Sequence, residues 1–386
     1  MNNFFIYSRQ LTFYRIRPLG KLCRRQRECM KKKLLFNLGR PFSPLYGTLM
    51  RFRESCYQRR LFKTTYFPVP VISVGNLTLG GTGKTPMVQN LARLLTENGF
   101  RPAVVSRGYG GATKEPVNVV SDREQILLSA EFVGDEPRLL AETLPGVPVL
   151  TGIIRKLPAR RAVEMGADVL LLDDGFQHMA VGRDLNLVLF SADFLAGNSR
   201  IFPGGDLREP VSALWRSSCF VMTGVNEENT ERCTRFADLL QERFPGKEVY
   251  TSSNRVVGYV KREGEDSFTV LAQDPPELDS SFGLCGIARP ESFKTTVENC
   301  GLVPLDFLIL SDHHAYKKDD LHRIGEQVKK SGAACIVTTE KDMVKLGNAD
   351  FGVPVYGIRL EVEVPVRFND MVLETVKTYR DKKSSH

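Results

Sequence analysis

The sequence predicts an α/β protein: a mainly parallel sheet with helices on both faces, then a second, smaller α/β lobe. Three observations carry this expectation. From residue 69 onward, short continuous apolar runs alternate with stretches of helical periodicity, the pattern of strands buried on both faces. A glycine-rich stretch, Gly75–Pro86, lies between the first apolar run and the first helical stretch. Around Val256–Lys261 and again at Ile358–Val364 the pattern turns extended and alternating, as two strands pairing in a ribbon between lobes would require.

Taken in order, the predicted strands are Val69–Val74, Arg101–Ser106, Val147–Thr151, Asp168–Leu172, Leu185–Phe190 and Cys219–Thr223. Helical spacing over Met87–Asn98, Glu136–Thr143 and Pro158–Met165 supplies the covering layers. A helix over 228–243 and a strand over Glu248–Thr251 follow. Between the ribbon strands, Gly283–Gly286, Pro290–Cys300, Leu305–Leu310, Asp319–Lys330, Ala333–Thr338 and Val353–Gly357 form the second set. Arg367–Tyr379 reads as a helix ending in a polar, frayed tail. The expected division is 1–66 as a basic N-terminal segment, 67–255 and 256–366 as the two lobes, and 367–386 as the C-terminal helix and tail.

Composition narrows the class. The chain has 386 residues and lacks a run of about 18 apolar residues, so no membrane span is expected. Arg9, Arg15 and Arg17 interrupt any signal-peptide core. Eight cysteines occur without a C-x-x-C pair, which argues against a zinc site or disulfide framework and for a reducing cytosol. The net charge of +8 is unevenly placed: residues 1–66 hold 16 Lys and Arg against two acids, so the rest of the chain is net acidic. That segment interleaves the bases with Phe4, Phe5, Tyr7, Phe13, Tyr14, Leu34, Leu35, Phe36, Leu45, Tyr46, Leu49 and Phe52. Such a pattern suits a helix lying on an anionic membrane surface; a nucleic-acid patch and a solvated face are the competing readings. No nucleic-acid-binding module is recognisable. Residues 1–29 read as a possible extension, since Met30 is a plausible alternative start.

The glycine-rich stretch Gly75-Asn-Leu-Thr-Leu-Gly-Gly-Thr-Gly-Lys-Thr-Pro86 reads as a phosphate-binding loop. Its glycines let successive backbone N–H groups converge on an anion, and the helix after it adds a positive dipole end. Lys84 would reach the β- and γ-phosphates of a nucleotide, with the Thr85 hydroxyl on Mg²⁺. The loop thus comprises Thr78, Leu79, Gly80, Gly81, Thr82, Gly83, Lys84 and Thr85, with Thr78 where the strict pattern has glycine. A plain glycine turn is the alternative. The fold class becomes a P-loop NTPase-like parallel sheet core with its second lobe.

Other segments carry candidate chemistry. Val169-Leu-Leu-Leu-Asp-Asp174 is an apolar strand ending in two acids, the place where P-loop proteins hold Mg²⁺, though acids also end ordinary strands. Asp135, in Val133-Gly-Asp-Glu-Pro137, could take a proton from an alcohol or simply cap a helix. His313, in Ser311-Asp-His-His-Ala315, could be a functional or an inert loop histidine. Arg208 in Phe202-Pro-Gly-Gly-Asp-Leu-Arg-Glu-Pro210 could clamp an anion or pair with an acid such as Glu209. Ser106-Arg-Gly-Tyr-Gly110 follows a strand at the carboxyl edge, where open α/β sheets bind ligands. Lys341, in Thr338-Thr-Glu-Lys-Asp342, could touch a phosphate.

Together and in this order, the motifs from about Ser43-Pro-Leu-Tyr46 to about Leu346 resemble one family, the tetraacyldisaccharide 4'-kinases of lipid A synthesis. The family's loop has the same N-x-T-x-G-G-T-G-K-T form, which accounts for Thr78. The resemblance implies transfer of the γ-phosphate of ATP to the 4'-hydroxyl of tetraacyldisaccharide 1-phosphate, giving lipid IVA, with Mg²⁺ as cofactor. It implies two lobes joined by a two-stranded linker, with the site between them. It matches Asp135 to the general base and His313 to its dyad partner. Lys84 and Thr85 match phosphate and Mg²⁺ ligands, and Asp173 and Asp174 the metal side. Arg107, Glu136, Gln177, His178, Arg208 and Glu209 match positions at the substrate or cleft. The partners implied are the acylated lipid and the cytoplasmic face of the inner membrane, met peripherally, with no nucleic acid and no obligate protein partner. The chain departs from the family in its long N-terminal extension and in Ser and Ala flanking the Asp-His-His run. A membrane-bound switch ATPase is the rival reading, but such proteins carry Lys immediately before the Gly-Gly pair, where this chain has Leu79.

Overall fold

The structure is a computed structural model and describes residues 34–384 apart from 114, 264–266, 272 and 313. The expectations for residues 1–33 and for His313 therefore lie outside the described residues. Residues 34–39 are helical and lead through a 3-10 turn into α1 (Ser43–Gln58). The first lobe then runs β1 (Val71–Asn76), α2 (Lys84–Glu97), β2 (Pro102–Ser106), β3 (Asn118–Ser121), α3 (Ala130–Val133), α4 (Asp135–Thr143), β4 (Val149–Thr151), α5 (Lys156–Glu164), β5 (Val169–Asp173), β6 (Leu185–Ser191), β7 (Cys219–Thr223) and α6 (Thr230–Arg243). β8 (Val249–Glu263) leads into β9 (Ser267–Val270), β10 (Ser281–Cys285), α7 (Pro290–Asn299), β11 (Asp306–Ile309), α8 (Lys318–Ser331), β12 (Cys335–Thr339), α9 (Glu340–Leu346), β13 (Val355–Glu363) and α10 (Val366–Ser384).

One sheet threads both lobes in the order β11-β10-β12-β13-β8-β7-β6-β1-β5-β2-β4-β3, with β9 paired to β8. β1, β2, β5, β6 and β7 are buried throughout, which explains their unbroken apolar sequence. α2 covers one face through Met87, Val88, Leu91, Ala92 and Leu95, the stripe its helical spacing prescribes. Phe368, Val372 and Val376 of α10 join the same core, so the C-terminal helix returns to the first lobe. Tyr379 closes that contact by donating to the Phe67 carbonyl at 2.8 Å. The second lobe has its own apolar clusters, one built on α7 through Phe293 and Val297, the other on α8 through Ile324 and Val328.

β8 is where the lobes meet. It pairs in parallel with β7 through Val249–Ser252, then antiparallel with β13 from Ser253 to Val260. The two extended segments of the sequence do form a ribbon, but each is part of a longer strand. Glu248–Thr251 and Val256–Lys261 belong to one strand, as do Val353–Gly357 and Ile358–Val364, because no proline or turn intervenes where the pattern changes. α10 also runs five residues past Tyr379, since the Arg-Asp-Lys-Lys stretch contains no helix breaker.

Candidate active site

The phosphate loop leaves the end of β1 and opens α2. Gly83 adopts φ +74° immediately before Lys84, a conformation that glycine enters without strain. The loop is pinned from outside: the Leu79 amide donates to the Asp206 carbonyl at 2.7 Å, and Thr223 at the end of β7 donates to the Thr82 carbonyl at 2.9 Å. Thr78 and Thr82 are buried while Leu79, Gly80 and Gly81 are exposed. Thr85 is the second residue of α2.

β5 is hydrogen-bonded beside β1, so Asp173 and Asp174 arrive next to the loop. Lys84 Nζ lies 3.5 Å from Asp174 Oδ1. Arg208 Nη1 donates to both Asp174 oxygens at 2.9 Å and approaches Gln177 Oε1 at 3.4 Å. Gln177 in turn donates to the Asn76 carbonyl at 2.8 Å, tying the turn after β5 to the end of β1. Burial alone would raise Asp174, but Lys84 and Arg208 outweigh it and hold the carboxyl below its ordinary value.

Asp173 is in a different situation. It is fully buried; its Oδ2 accepts from Ser106 at 3.1 Å and its carbonyl from Arg155 at 3.0 Å, while Oδ1 has no hydrogen-bond partner. Burial pushes its carboxyl up to about 6, and Glu136 and Asp174 add to the push against Lys84 and Arg155. His178 is held neutral: burial lowers it to about 4, with Arg155, Arg183, Arg53 and Arg107 acting in the same direction.

Asp135 and Glu136 begin α4. Gly134 before them has φ +93°, and a Cβ there would come 2.3 Å from the Tyr109 carbonyl. Only glycine lets the Ser-Arg-Gly-Tyr-Gly loop close against this turn. The second lobe faces them. Lys341 of α9 is 3.4 Å from Glu136 Oε1 and 3.7 Å from Asp312 Oδ1. Burial, then Asp342, pushes the Tyr316 phenol above its ordinary range, and Asp135 adds to this across the cleft. Over the phosphate loop, a Cβ on Gly81 would lie 3.8 Å from the Ala288 Cβ of the second lobe.

The structure thus gathers Lys84, Asp173, Asp174, Gln177 and Arg208 around the loop, with Asp135 and Glu136 facing the second lobe. Glu209 is elsewhere: only 2% exposed, it pairs with Arg216 and lies 3.7 Å from Arg53, while Arg216 also holds Glu54 at 2.9 Å. Its contacts fasten α1 to the body. Arg107 is exposed, close enough for its charge to act on Arg155 and His178. Sequence reasoning missed Arg155, which is 4% exposed and supports the Asp173 backbone. Its place just after β4, at the carboxyl edge of the sheet, was the available signal. It also missed Arg289, which crosses the cleft to Asp193 at 2.9 Å.

A glycine loop between a central parallel strand and a helix, with its lysine against an acid from the adjacent strand, defines a P-loop protein built for nucleotide phosphates. The sequence pattern of the tetraacyldisaccharide-1-P 4'-kinases matches residues 35–377, and the chain belongs to that family. It is 43% identical to the tetraacyldisaccharide 4'-kinase of Desulfotalea psychrophila over 350 residues, 90% of this chain and 99% of that one. It is 42% identical to the enzyme of that name from Syntrophus aciditrophicus, over 87% of this chain and 92% of that one. The solved structure of LpxK from Aquifex aeolicus in complex with ATP superimposes with a TM-score of 0.69 at 28% identity, covering 87% of this chain and 98% of that chain.

Proposed function

We propose that the cleft moves the γ-phosphoryl group of ATP to the 4'-hydroxyl of a tetraacyldisaccharide 1-phosphate. Besides family membership, one observation supports this reading most: the phosphate loop and its lysine share the cleft with an acid, Asp135, on the wall facing the second lobe. Phosphoryl transfer demands placement and charge neutralisation more than covalent help. The backbone of Thr78–Gly83 and Lys84 supply both at the triphosphate. Asp174 keeps Lys84 and Arg208 in place. Asp135 takes the proton of the sugar hydroxyl as the new bond forms, since such a hydroxyl is far too weak an acid to ionise at neutral pH. By resemblance, His313 is its partner. Gln177, His178, Glu136 and Arg107 line the cleft, and the arginines around His178 give a positive field suited to a lipid carrying a phosphate.

The residues present fit Mg²⁺. Asp173 Oδ1 is a buried acceptor without a partner. No three His, Cys, Asp or Glu cluster as a metal cage among the described residues, and Mg²⁺ keeps waters and substrate phosphates as ligands rather than needing one. Asp173 and the Thr85 hydroxyl would hold the ion, whereas the Asp174 oxygens already face two cations. Bound there, Mg²⁺ would neutralise charge on the β- and γ-phosphates.

The lobes in this reading divide near residue 255, within β8. The N-terminal segment meets the cytoplasmic face of the inner membrane without spanning it; no helix of the described residues is long and apolar enough to cross. Leu34, Leu35, Leu38, Leu45, Leu49 and Phe52 are all exposed along this segment. No nucleic acid and no obligate protein partner enter the account. The test is transfer of label from γ-³²P-ATP, with Mg²⁺, to detergent-dispersed tetraacyldisaccharide 1-phosphate. Labelled lipid carrying the new phosphate at the 4' position is expected. ATP hydrolysis without labelled lipid would refute the reading.

A further inference from the structure

The segment Thr338-Thr-Glu-Lys-Asp342 closes β12 and opens α9, and the mechanism above assigns it no part. Thr339 caps the helix, accepting from the Asp342 amide at 3.1 Å and donating to Asp342 Oδ2 at 2.7 Å. The Asp342 carboxylate is completely buried and fully committed. Oδ2 also accepts from the Gly286 amide at 2.9 Å; Oδ1 accepts from the Tyr316 hydroxyl at 3.1 Å and meets Lys345 Nζ at 2.8 Å. Lys345 donates to the Gly286 carbonyl at 3.1 Å and lies 5.3 Å from the Tyr316 ring centroid.

One carboxylate therefore joins three segments of the second lobe: the turn after β10 that approaches the phosphate loop, the loop ending at Tyr316, and α9 itself. A buried acid with this many partners is rigid, and removing it leaves several buried groups unpaired. Lys341, the preceding residue, reaches the other way and stands between Glu136 and Asp312. In sequence Glu136 follows Asp135, and Asp312 precedes His313.

We propose that Lys341 and Asp342 are positioning residues for phosphoryl transfer: Asp342 fixes the loop ending at Tyr316 to α9, and Lys341 sets that assembly against the start of α4 in the first lobe. The inference rests on the reading of Asp135 as the base. Neither residue needs to touch ATP, so their loss should appear in the transfer step. A displacement of about 1 Å at a reacting group can cost on the order of a hundredfold in rate.

The experiment measures kcat and KM for ATP in Lys341→Met, Lys341→Arg, Asp342→Asn and Tyr316→Phe, with Asp135→Asn alongside and thermal unfolding of each. Lys341→Met is expected to lower kcat by about tenfold or more while KM for ATP stays within about threefold. Lys341→Arg should recover most of the rate, since it restores the charge between the two acids. Tyr316→Phe, which removes one arm of the hub and no charge, should show the same split even if Asp342→Asn fails to fold. A kcat for Lys341→Met within threefold of wild type, beside an inactive Asp135→Asn, overturns this inference alone. A fully active Asp135→Asn overturns the base reading and this inference with it. A KM for ATP that rises as kcat falls would place Lys341 in nucleotide binding and also overturn the proposal.

Discussion

Asp173 and Asp174 are adjacent in sequence, yet the fold gives them opposite electrostatics. Asp174 faces two cations and is held ionised, whereas Asp173 is buried with one oxygen unpartnered and its pKa pushed up to about 6. An Asp whose folded pKa exceeds its unfolded value binds more protons when folded. Stability then falls as pH rises from about 4 to about 6, and the penalty is complete above that. Asp173→Asn keeps the shape without the charge. Its Tm at pH 7.5 should exceed that of wild type by about 2–4 °C, the gain vanishing toward pH 4, while transfer activity is lost. A lower Tm at pH 7.5 would mean that the ionised carboxylate stabilises the apoprotein. The sequence showed two acids at a strand end but not which oxygen would be left over, because that depends on Ser106 and Arg155, remote in the chain.

Among the elements, α1 shows most clearly how a local pattern serves two surfaces. Tyr46 donates to the Arg208 carbonyl at 3.0 Å and Arg53 to the Gln177 carbonyl at 3.0 Å, so one side holds the loops that carry the site. Leu45, Leu49 and Phe52, at 72%, 56% and 65% exposure, form an apolar stripe open to solvent. Replacing these three by Ser should abolish co-sedimentation with anionic phospholipid vesicles while Tm changes by less than about 2 °C, because exposed side chains contribute little to the fold. Unchanged sedimentation would rule this stripe out as the proposed membrane contact. The long buried strands and α2 were legible because burial on both faces imposes an apolar run. β3, β9 and α9 were not, because their short sequences, Asn118–Ser121, Ser267–Val270 and Glu340–Leu346, mix polar with apolar residues and show neither an unbroken apolar run nor a helical period. α9 matters most of the three, since it carries Lys341 and Asp342.

At the scale of the molecule, the lobes share β8, and ion pairs link them in both senses, with Arg93 of the first lobe meeting Glu361 of the second at 3.3 Å. Glu136, Glu142 and Asp193 of the first lobe meet Lys341, Arg262 and Arg289 of the second. The alternation of strands and helices disclosed the two-lobed plan, and the order of the motifs disclosed the family. The cross-lobe pairs were hidden, because partners such as Glu142 and Arg262 are far apart in sequence and belong to no motif. Their arrangement sets the second lobe over the candidate site, whose phosphate loop and proposed base both belong to the first.

As the proposed base, Asp135 activates the acceptor hydroxyl in this cleft and takes no part in holding ATP. Single-turnover transfer to the lipid by Asp135→Asn, with ATP affinity measured on the same protein, tests it most directly. The expected result is a rate at least about a hundredfold below wild type with ATP affinity within about threefold, the size of effect for loss of a general base. Transfer at the wild-type rate, or a loss of rate matched by an equal loss of ATP affinity, would contradict it.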